Sequence, residues 1–313
     1  MNSQTSIVMP FLNAEAYLGQ AIASVQAQTW PDWELLLVDD RSTDRSSEIA
    51  AAAAKQDARV RLISRPAGYR GGAASARNLA LSEARGEFVC FLDADDVFLP
   101  SKLERQVPLL QRFPHAAMVF GPTEWWHPDG SSPDWIEPVY MRGLIEPPAA
   151  LDYLILLLRG HVPCICAVLI RRSALEEVGT FEEQFRLYED QTLWVKLMAA
   201  FPVFADTAVT ARYRQHPASV SAEAQADGTY DRLGPHAARE PFLAWTRTYL
   251  AERDVLVPST ERALRCAFAR LGQERGRLEF GDRLLLGQHA LERRLRWTTQ
   301  RARRVAQLVG GKR

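Results

Sequence analysis

Three carboxylates follow an apolar run in the segment "FVCFLDADDVFLP" of residues 88–100: Asp93, Asp95 and Asp96. Ionised carboxylates at this spacing repel one another, unless a cation or hydrogen-bond donors lie among them. Hard divalent cations prefer oxygen ligands of this kind. The segment therefore indicates either a cation site or a surface loop of solvated acids, and the elements around it must decide between the two.

The elements before this segment predict an open, doubly wound α/β sheet that is mostly parallel and Rossmann-like. The runs "SIVMPF", "WELLLVDD", "RVRLIS" and "EFVCFLD" are short and nearly continuously apolar, which is typical of parallel strands covered on both faces. A helical pattern separates each pair of runs. Leu18, Ile22 and Val25 recur at helical spacing in the first connection, and an alanine run follows in the second.

Polar residues and glycines mark where these helices should begin and end. Asn13 is placed to cap the first helix, and Ser42 or Thr43 the second. The third helix is predicted to follow the Gly-rich turn "AGYRGG" and to end at Gly86.

Two acidic clusters end strands of the predicted sheet. Asp39 and Asp40 close one strand, and Asp93 to Asp96 close another. Open α/β sheets bind ligands at the carboxyl ends of their strands, so both clusters should face the same crevice. This coincidence favours a binding site over two independent surface loops.

The second half of the chain is less regular. Residues 117–159 are rich in Trp and Pro and predict a loop-dominated insertion, which serves either to dock an acceptor or only to pack. "CAVLIRR" predicts a strand and "RSALEEVG" a short helix. "YEDQTLWVKLMAAF" predicts a helix that begins at Glu189 and Asp190, where the helix dipole favours carboxylates.

Composition restricts the class of protein. The 38 basic and 38 acidic residues balance, so we expect no nucleic-acid partner. The four cysteines have no zinc-type spacing and predict reduced, mostly buried thiols of a cytoplasmic protein. No basic N-terminal region and no run of about eighteen apolar residues occurs, so neither export by a signal peptide nor a membrane span is expected.

Four segments carry a resemblance to a known family: "SIVMPFLNAEAYLGQAIASVQAQTWPDWELLLVDDRSTDRS", "GGAASARNLALSEARGEFVCFLDADD", "YEDQTLWVKL" and "YRQHPASVS". In this order and spacing the chain resembles the family 2 glycosyltransferases, inverting enzymes of the GT-A fold, over residues 6–221. Four motifs in order are much more specific than a lone D-x-D. No G-x-G-x-x-G or P-loop supports a dinucleotide or kinase interpretation.

By this resemblance, one group of residues would bind the nucleotide-sugar donor. Asp40, with Asp39 as a second candidate, would accept hydrogen bonds from the base, and Pro10 would line the same pocket. Arg77 resembles the basic residue that faces the donor. The alternative for Arg77 is a solvated helix residue.

The resemblance also implies a divalent metal, Mn²⁺ or Mg²⁺. Asp93 and Asp95 match the D-x-D acids, with Asp93 near the ribose and metal and Asp95 coordinating the ion. His216 in "YRQH" corresponds to a histidine near the metal, although a lone histidine is more often structural. Asp96 would add a water-mediated contact or would be an exposed residue at a helix start.

Asp190 matches the family's catalytic base, which takes the proton of the attacking acceptor hydroxyl. Two alternatives stay open: Glu189 is the base, or Asp190 only caps its helix. The resemblance implies a hexosyltransferase with a saccharide or lipid-linked acceptor, in bacterial surface polysaccharide or glycolipid synthesis. A pseudo-transferase that binds nucleotide sugar without turnover is the second candidate. A haloacid dehalogenase-type phosphohydrolase is disfavoured, because its D-x-D follows the first strand.

We divide the chain into a catalytic domain, residues 1–225, and a basic helical extension, residues 226–313. An apolar stripe runs along one face of the extension's end: Leu284, Leu291, Leu295, Ala302, Val305 and Val309. Arginines crowd the remaining faces. The stripe either packs on the catalytic domain, the favoured alternative because such stripes are usually core, or lies on anionic lipid as a peripheral membrane contact.

Overall fold

The computed structural model describes residues 4–231, 235–273 and 278–288. The strands in this part of the chain are β1 (Thr5–Phe11), β2 (Trp33–Asp39), β3 (Val60–Ile63), β4 (Phe88–Phe91), β5 (Val97–Phe98), β6 (Met118–Phe120), β7 (Thr123–Trp126), β8 (Trp135–Glu137), β9 (Gly143–Ile145), β10 (Val168–Arg171), β11 (Val203–Ala205) and β12 (Ala211–Arg214). The helices are α1 (Leu18–Gln26), α2 (Ser46–Gln56), α3 (Ala73–Ser82), α4 (Lys102–Arg112), α5 (Arg172–Val178), α6 (Glu189–Ala200), α7 (Val220–Ala226), α8 (Arg239–Glu252) and α9 (Pro258–Arg270). A π-helical turn covers Leu151–Leu156, and a 3-10 turn covers Ile165–Ala167.

The larger sheet has eight strands in the order β3-β2-β1-β4-β10-β6-β11-β9. Its first four strands pair in parallel, as the apolar runs predict, and β10 joins β4 and β6 antiparallel. Every residue of β1 is buried. Val8 belongs to one hydrophobic cluster, and Ile7 and Met9 to the other. The sheet is therefore covered by an apolar layer on each face, which explains the uninterrupted apolar sequence of its strands.

A smaller sheet, in the order β5-β12-β7-β8, begins directly after the acidic segment. β12 pairs antiparallel with β5 through Ala211–Phe98 and Arg212–Val97. Because β5 starts at Val97, this pairing returns the "YRQH" segment to the turn that holds Asp95.

The prediction of a loop-dominated insertion holds for only about half of the Trp- and Pro-rich segment of residues 117–159 and is wrong for the rest. The segment contains β6, a buried strand of the larger sheet, and three further strands, β7 to β9. Trp125 pairs with Trp135 across β7 and β8, and their rings stack with centroids 5.2 Å apart. Aromatic cross-strand pairs stabilise sheets, so the tryptophans favour strands where their density indicated irregular structure.

The predicted helix caps are also wrong. α1 and α2 start at Leu18 and Ser46, and neither has a side-chain cap. Asn13 has a positive φ of 48°, and its Oδ1 accepts a hydrogen bond from the Thr43 N–H at 2.8 Å, so it joins two loops instead. α3 follows Gly72, whose φ of 90° suits glycine, but it ends at Ser82 and not at Gly86.

The predicted strand, short helix and acidic helix of the second half are confirmed as β10, α5 and α6. α6 begins at Glu189 and buries its predicted apolar face, which comprises Leu193, Trp194, Leu197 and Met198. Tyr188, immediately before the helix, has a left-handed φ of 70°. The left-handed backbone at Tyr188 sets the direction in which the next two side chains, Glu189 and Asp190, leave the main chain.

The helices after residue 225 share the core of the catalytic domain. Phe242 and Leu250 of α8 and Leu264 of α9 belong to the same buried cluster as the strands. The boundary at residue 225 stays a prediction. In the described ranges no helix is long and apolar enough to cross a membrane. Leu284 is exposed, and the rest of the predicted apolar stripe lies outside the described residues, so both alternatives for it stay predictions.

Candidate active site

The carboxyl ends of β1, β2 and β4 open onto a cleft of about 3230 Å³. Seven of the predicted site residues line it: Pro10, Asp40, Arg77, Asp93, Asp95, Asp190 and His216. Asp39 is the exception. Its carboxylate accepts hydrogen bonds from the Ser42 N–H and the Ser47 hydroxyl, which lower its pKa although partial burial acts in the opposite direction. The structure therefore brings Asp40, and not Asp39, to the cleft.

Asp40 lies beside the glycine turn that precedes α3. Its Oδ2 accepts a hydrogen bond from the Gly72 N–H at 2.7 Å. Gly71 has a φ of 85°, and a Cβ atom there would come within 3.2 Å of Oδ1, so a side chain at this position would be strained and would crowd the carboxylate. The Tyr69 hydroxyl lies near Asp40, and burial together with this carboxylate raises the pKa of Tyr69. Oδ1 is buried and accepts no hydrogen bond of normal distance and angle from the described residues. A ligand N–H group would satisfy that acceptor.

Arg77 is not solvated, and that alternative is wrong. Only 2% of the residue is exposed. Its Nη2 donates to Asp93 Oδ1 at 2.5 Å and its Nη1 to Glu189 Oε1 at 3.0 Å. The buried guanidinium of Arg77 thus connects the D-x-D turn to the start of α6. Removal of either carboxylate, Asp93 or Glu189, would leave this buried positive charge with only one of its two ion-pair partners.

Asp190 is the carboxylate of the pair at the start of α6 that Arg77 does not bind. Its Oδ1 accepts a hydrogen bond from the Gln191 N–H at 2.7 Å. This bond satisfies one of the free N–H groups in the first turn of α6, so the cap alternative stays open beside that of a base. Burial, together with the negative charge of Glu189, raises the pKa of Asp190 to about 7. A carboxylate with this pKa is suited to accept a proton near neutral pH.

This pKa predicts how stability depends on pH. The folded-state pKa of Asp190 lies above its unfolded value, so ionising it costs stability. That cost is absent below the unfolded pKa of about 4 and grows as pH rises toward the folded pKa. We expect Asp190→Asn to melt at a higher temperature than the wild type at pH 8, with the difference shrinking toward pH 5. Thermal denaturation at both pH values measures this, and a constant difference would contradict it.

The "YRQH" segment holds the acidic turn through three contacts. His216 Nε2 lies 2.8 Å from Asp95 Oδ2. The Arg214 backbone N–H donates to Asp96 Oδ1 at 2.9 Å, and Arg214 Nε donates to the Asp95 carbonyl at 2.6 Å. Asp96 is completely buried, so the alternative of an exposed helix-start residue is wrong.

Arg214 is a site residue that sequence reasoning missed, although it lies two positions before His216. Its guanidinium stacks over Tyr17 at 4.7 Å and Trp126 at 4.3 Å from the ring centroids. Its Nη2 also donates to Gln20 Oε1 at 2.6 Å. Arg214 therefore positions the acidic turn from both its backbone and its side chain.

Lysine cannot reproduce a stacked guanidinium that donates from two nitrogens. We expect Arg214→Lys to lower the free energy of unfolding by about 1–3 kcal/mol, the range for losing a buried hydrogen-bond network. Arg212→Lys is the matched control, because Arg212 lies on the same strand, its side chain is 40% exposed, and it forms an ion pair with Glu124. Urea denaturation compares the two variants, and equal losses would contradict a positioning role for Arg214.

Asp95 and His216 fit a divalent cation. Adjacent ligands in an octahedral site with bonds of about 2.1 Å lie about 3 Å apart, close to the observed 2.8 Å between Asp95 Oδ2 and His216 Nε2. Carboxylate and imidazole together suit Mn²⁺ and related ions. Asp93 commits Oδ1 to Arg77, which makes it the weaker ligand candidate.

Aromatic and basic side chains outside the acidic turn also line the cleft. They come from the β8–β9 segment, from the start of α6 and from the part of the chain after residue 225: Trp135, Tyr140, Arg142, Tyr188, Tyr230 and His236. Tyr188 and His236 contact each other, with the hydroxyl 2.6 Å from Nε2. These side chains offer ring faces and polar edges to a second ligand.

The comparisons with known proteins agree with this geometry. Residues 6–179 match the family described as "Glycosyl transferase family 2". An uncharacterized glycosyltransferase of Haemophilus influenzae is 36% identical over 171 residues, 55% of this chain and 63% of that protein. The Escherichia coli UDP-Glc:alpha-D-GlcNAc-diphosphoundecaprenol beta-1,3-glucosyltransferase WfgD is 30% identical over 218 residues, 69% of this chain and 79% of that protein. The chain thus spans less than two thirds of the length of the Haemophilus influenzae relative.

Solved structures share the architecture. S. aureus TarS 1–349 in complex with UDP-GlcNAc matches with a TM-score of 0.64 and 17% identity over 91% of this chain and 79% of that one. The mannosyltransferase PcManGT of Pyrobaculum calidifontis, in complex with GDP-Man and Mn²⁺, matches with a TM-score of 0.51 and 19% identity over 97% of this chain and 86% of that one. Because the family match covers more than half of the chain and the fold is shared, the chain belongs to family 2 of the glycosyltransferases and adopts the GT-A fold.

Proposed function

We propose that this protein is a metal-dependent inverting glycosyltransferase that moves a sugar from a nucleotide diphosphate, by preference a UDP-sugar, to an acceptor hydroxyl. One observation carries the proposal: the Asp95–His216 pair and Asp190 line the same cleft, and Arg77 ties their two segments together. A cation-binding pair and a base with a pKa near neutral are the two components that such a displacement needs.

The donor occupies the part of the cleft at the carboxyl ends of β1, β2 and β4. Asp40 Oδ1 accepts a hydrogen bond from the base, with Pro10 lining the same pocket. Asp93 would lie at the ribose, and Asp95 with His216 would hold a divalent ion. A divalent ion bound there would neutralise charge on the leaving diphosphate. The Mn²⁺ of the PcManGT complex and the UDP-GlcNAc of the TarS complex support this assignment.

Asp190 is the catalytic base of the proposed reaction. The acceptor hydroxyl attacks the anomeric carbon from the face opposite the diphosphate, which inverts the configuration, and its proton passes to the Asp190 carboxylate. Glu189 is the weaker candidate, because its Oε1 is held by Arg77 at 3.0 Å. Burial raises the pKa of both carboxyls, but a carboxylate that already accepts from a buried guanidinium is a poorer base than a neighbour that pairs with no guanidinium.

The acceptor occupies part of the cleft that aromatic side chains line, Tyr188 and Trp135 among them. Ring faces and polar edges together suit a saccharide, because both apolar sugar faces and hydroxyl groups need partners. The similarity to WfgD and to the Bacillus subtilis protein TuaG, a putative teichuronic acid biosynthesis glycosyltransferase, supports a saccharide or lipid-linked acceptor in bacterial polysaccharide synthesis.

A thermal-shift screen of nucleoside diphosphates tests the donor site. We expect UDP with Mn²⁺ to raise the melting temperature more than either alone, because a ligand at about a hundred times its dissociation constant stabilises by roughly 2.7 kcal/mol. GDP and ADP with Mn²⁺ are the matched controls for the base. Equal shifts with and without Mn²⁺ for every nucleotide would contradict a metal-dependent donor site.

A further inference from the structure

Three potential metal ligands meet behind the acidic turn: Asp96, Cys164 and Cys166. One carboxylate oxygen and the two Sγ atoms all lie within 4.8 Å of one another, and the two Sγ atoms are 3.4 Å apart. Asp96 and Cys166 are completely buried. Cys164 is partly buried and lines the cleft, so the cluster has a path to solvent.

The second carboxylate oxygen of Asp96 gives independent support for a ligand. Oδ1 accepts the Arg214 backbone N–H, but Oδ2 is buried and has no hydrogen-bond partner among the described residues. Thiols are only weak donors and cannot fully replace water at such an atom. A buried carboxylate oxygen without a partner is costly, and a bound cation removes that cost.

We propose that Asp96, Cys164 and Cys166 form a second metal site, which takes a divalent ion of the zinc class and keeps an open position toward the cleft. Two sulfurs bound to tetrahedral zinc at about 2.3 Å lie about 3.8 Å apart, close to the observed separation. Two thiolates and one carboxylate select such borderline-soft ions, whereas Mg²⁺ and Mn²⁺ prefer oxygen-rich sites.

The ion would tie the acidic turn to the 3-10 turn Ile165–Ala167, which directly precedes β10. The ion would therefore stabilise the acidic turn that holds Asp95. It would do so through the neighbouring residue Asp96 and without contacting the donor. The inference is independent of the proposed sugar transfer, because Asp95 and His216 take no part in this cluster.

A cadmium titration of the full-length chain tests the site. Cd²⁺ stands in for zinc, because cadmium bound to thiolate absorbs in the near ultraviolet. With protein that has been reduced and then freed of metal by a chelator, we expect this absorption to rise and to saturate at a single equivalent. Added Zn²⁺ should then displace it. A reduced wild type without the absorption would overturn the proposal, as would mass spectrometry showing a Cys164–Cys166 disulfide that resists reduction.

Variants locate the signal. Cys164→Ser and Cys166→Ser should each weaken Cd²⁺ binding by on the order of a hundredfold or more, since the loss of outer-shell partners alone already costs about ten- to a hundredfold. Cys266→Ser is the matched control, a buried cysteine on α9 outside the cluster, and should keep the absorption. Asp95→Asn should also keep it. Retention in both cluster variants, or loss in Asp95→Asn, would overturn the assignment, and Asp96→Asn provides a further variant if a serine variant does not fold.

Discussion

Asp190→Asn is expected to lower kcat by on the order of a hundredfold or more while leaving donor affinity nearly unchanged, because a general base acts mainly in the transition state. Asparagine keeps the shape of the side chain and the hydrogen bond from the Gln191 N–H, but it cannot take a proton. Steady-state kinetics with calorimetric titration of the donor separate the two quantities. A collapse of donor affinity with little change in kcat would make Asp190 a binding residue.

The pH profile provides a second test of the same residue. Because the pKa of Asp190 is raised to about 7, we expect wild-type kcat/KM to rise with pH and to level off above that value. Glu189→Gln is the matched comparison. It keeps an oxygen that can accept from Arg77 but removes the negative charge of Glu189, which is one source of the raised Asp190 pKa, so the pH profile of this variant should level off at a lower pH. A profile unchanged by Glu189→Gln would show that another group titrates.

Asp95→Asn is expected to abolish transfer and to remove the Mn²⁺ dependence of nucleotide binding, with the fold intact. The amide keeps a hydrogen bond to His216 available, but it loses the charge that holds a divalent cation. Titration of UDP with and without Mn²⁺ measures the effect. Asp129→Asn, on the exposed β7–β8 turn, is the control and should bind UDP as the wild type does. Metal-dependent binding that persists in Asp95→Asn would contradict the metal assignment.

Local pattern predicted most of the sheet and little of the network that holds the site. The apolar runs of β1, β2 and β4 and the acids that end them follow from periodicity, which a sequence displays directly. Pairing between distant segments does not follow from periodicity. Arg77 bonds Glu189 from 112 positions away, and Arg214 bonds Asp96 from 118 positions away. Such contacts depend on the order of the strands in space, which spacing along the chain does not encode.

The same limit explains two of the wrong predictions. Tryptophans at residues 125 and 135 indicated an irregular insertion, yet the pair stacks across neighbouring strands. Asparagine is a residue type that caps helices, but the Oδ1 atom of Asn13 accepts a hydrogen bond from Thr43 in the loop after β2 and not from α1. In both cases a partner on another element decided the structure around the residue.

The proposed metal-dependent transfer is tested most directly by measuring the nucleoside diphosphate that is released from nucleotide sugars. The wild type and Asp190→Asn are compared, each with Mn²⁺ and with a chelator. We expect the wild type with Mn²⁺ to cleave at least one nucleotide sugar, a UDP-sugar first. Cleavage should fall to background with the chelator and drop on the order of a hundredfold in Asp190→Asn. Donor that binds with Mn²⁺ but is never cleaved, or cleavage that survives both the chelator and the substitution, would contradict it.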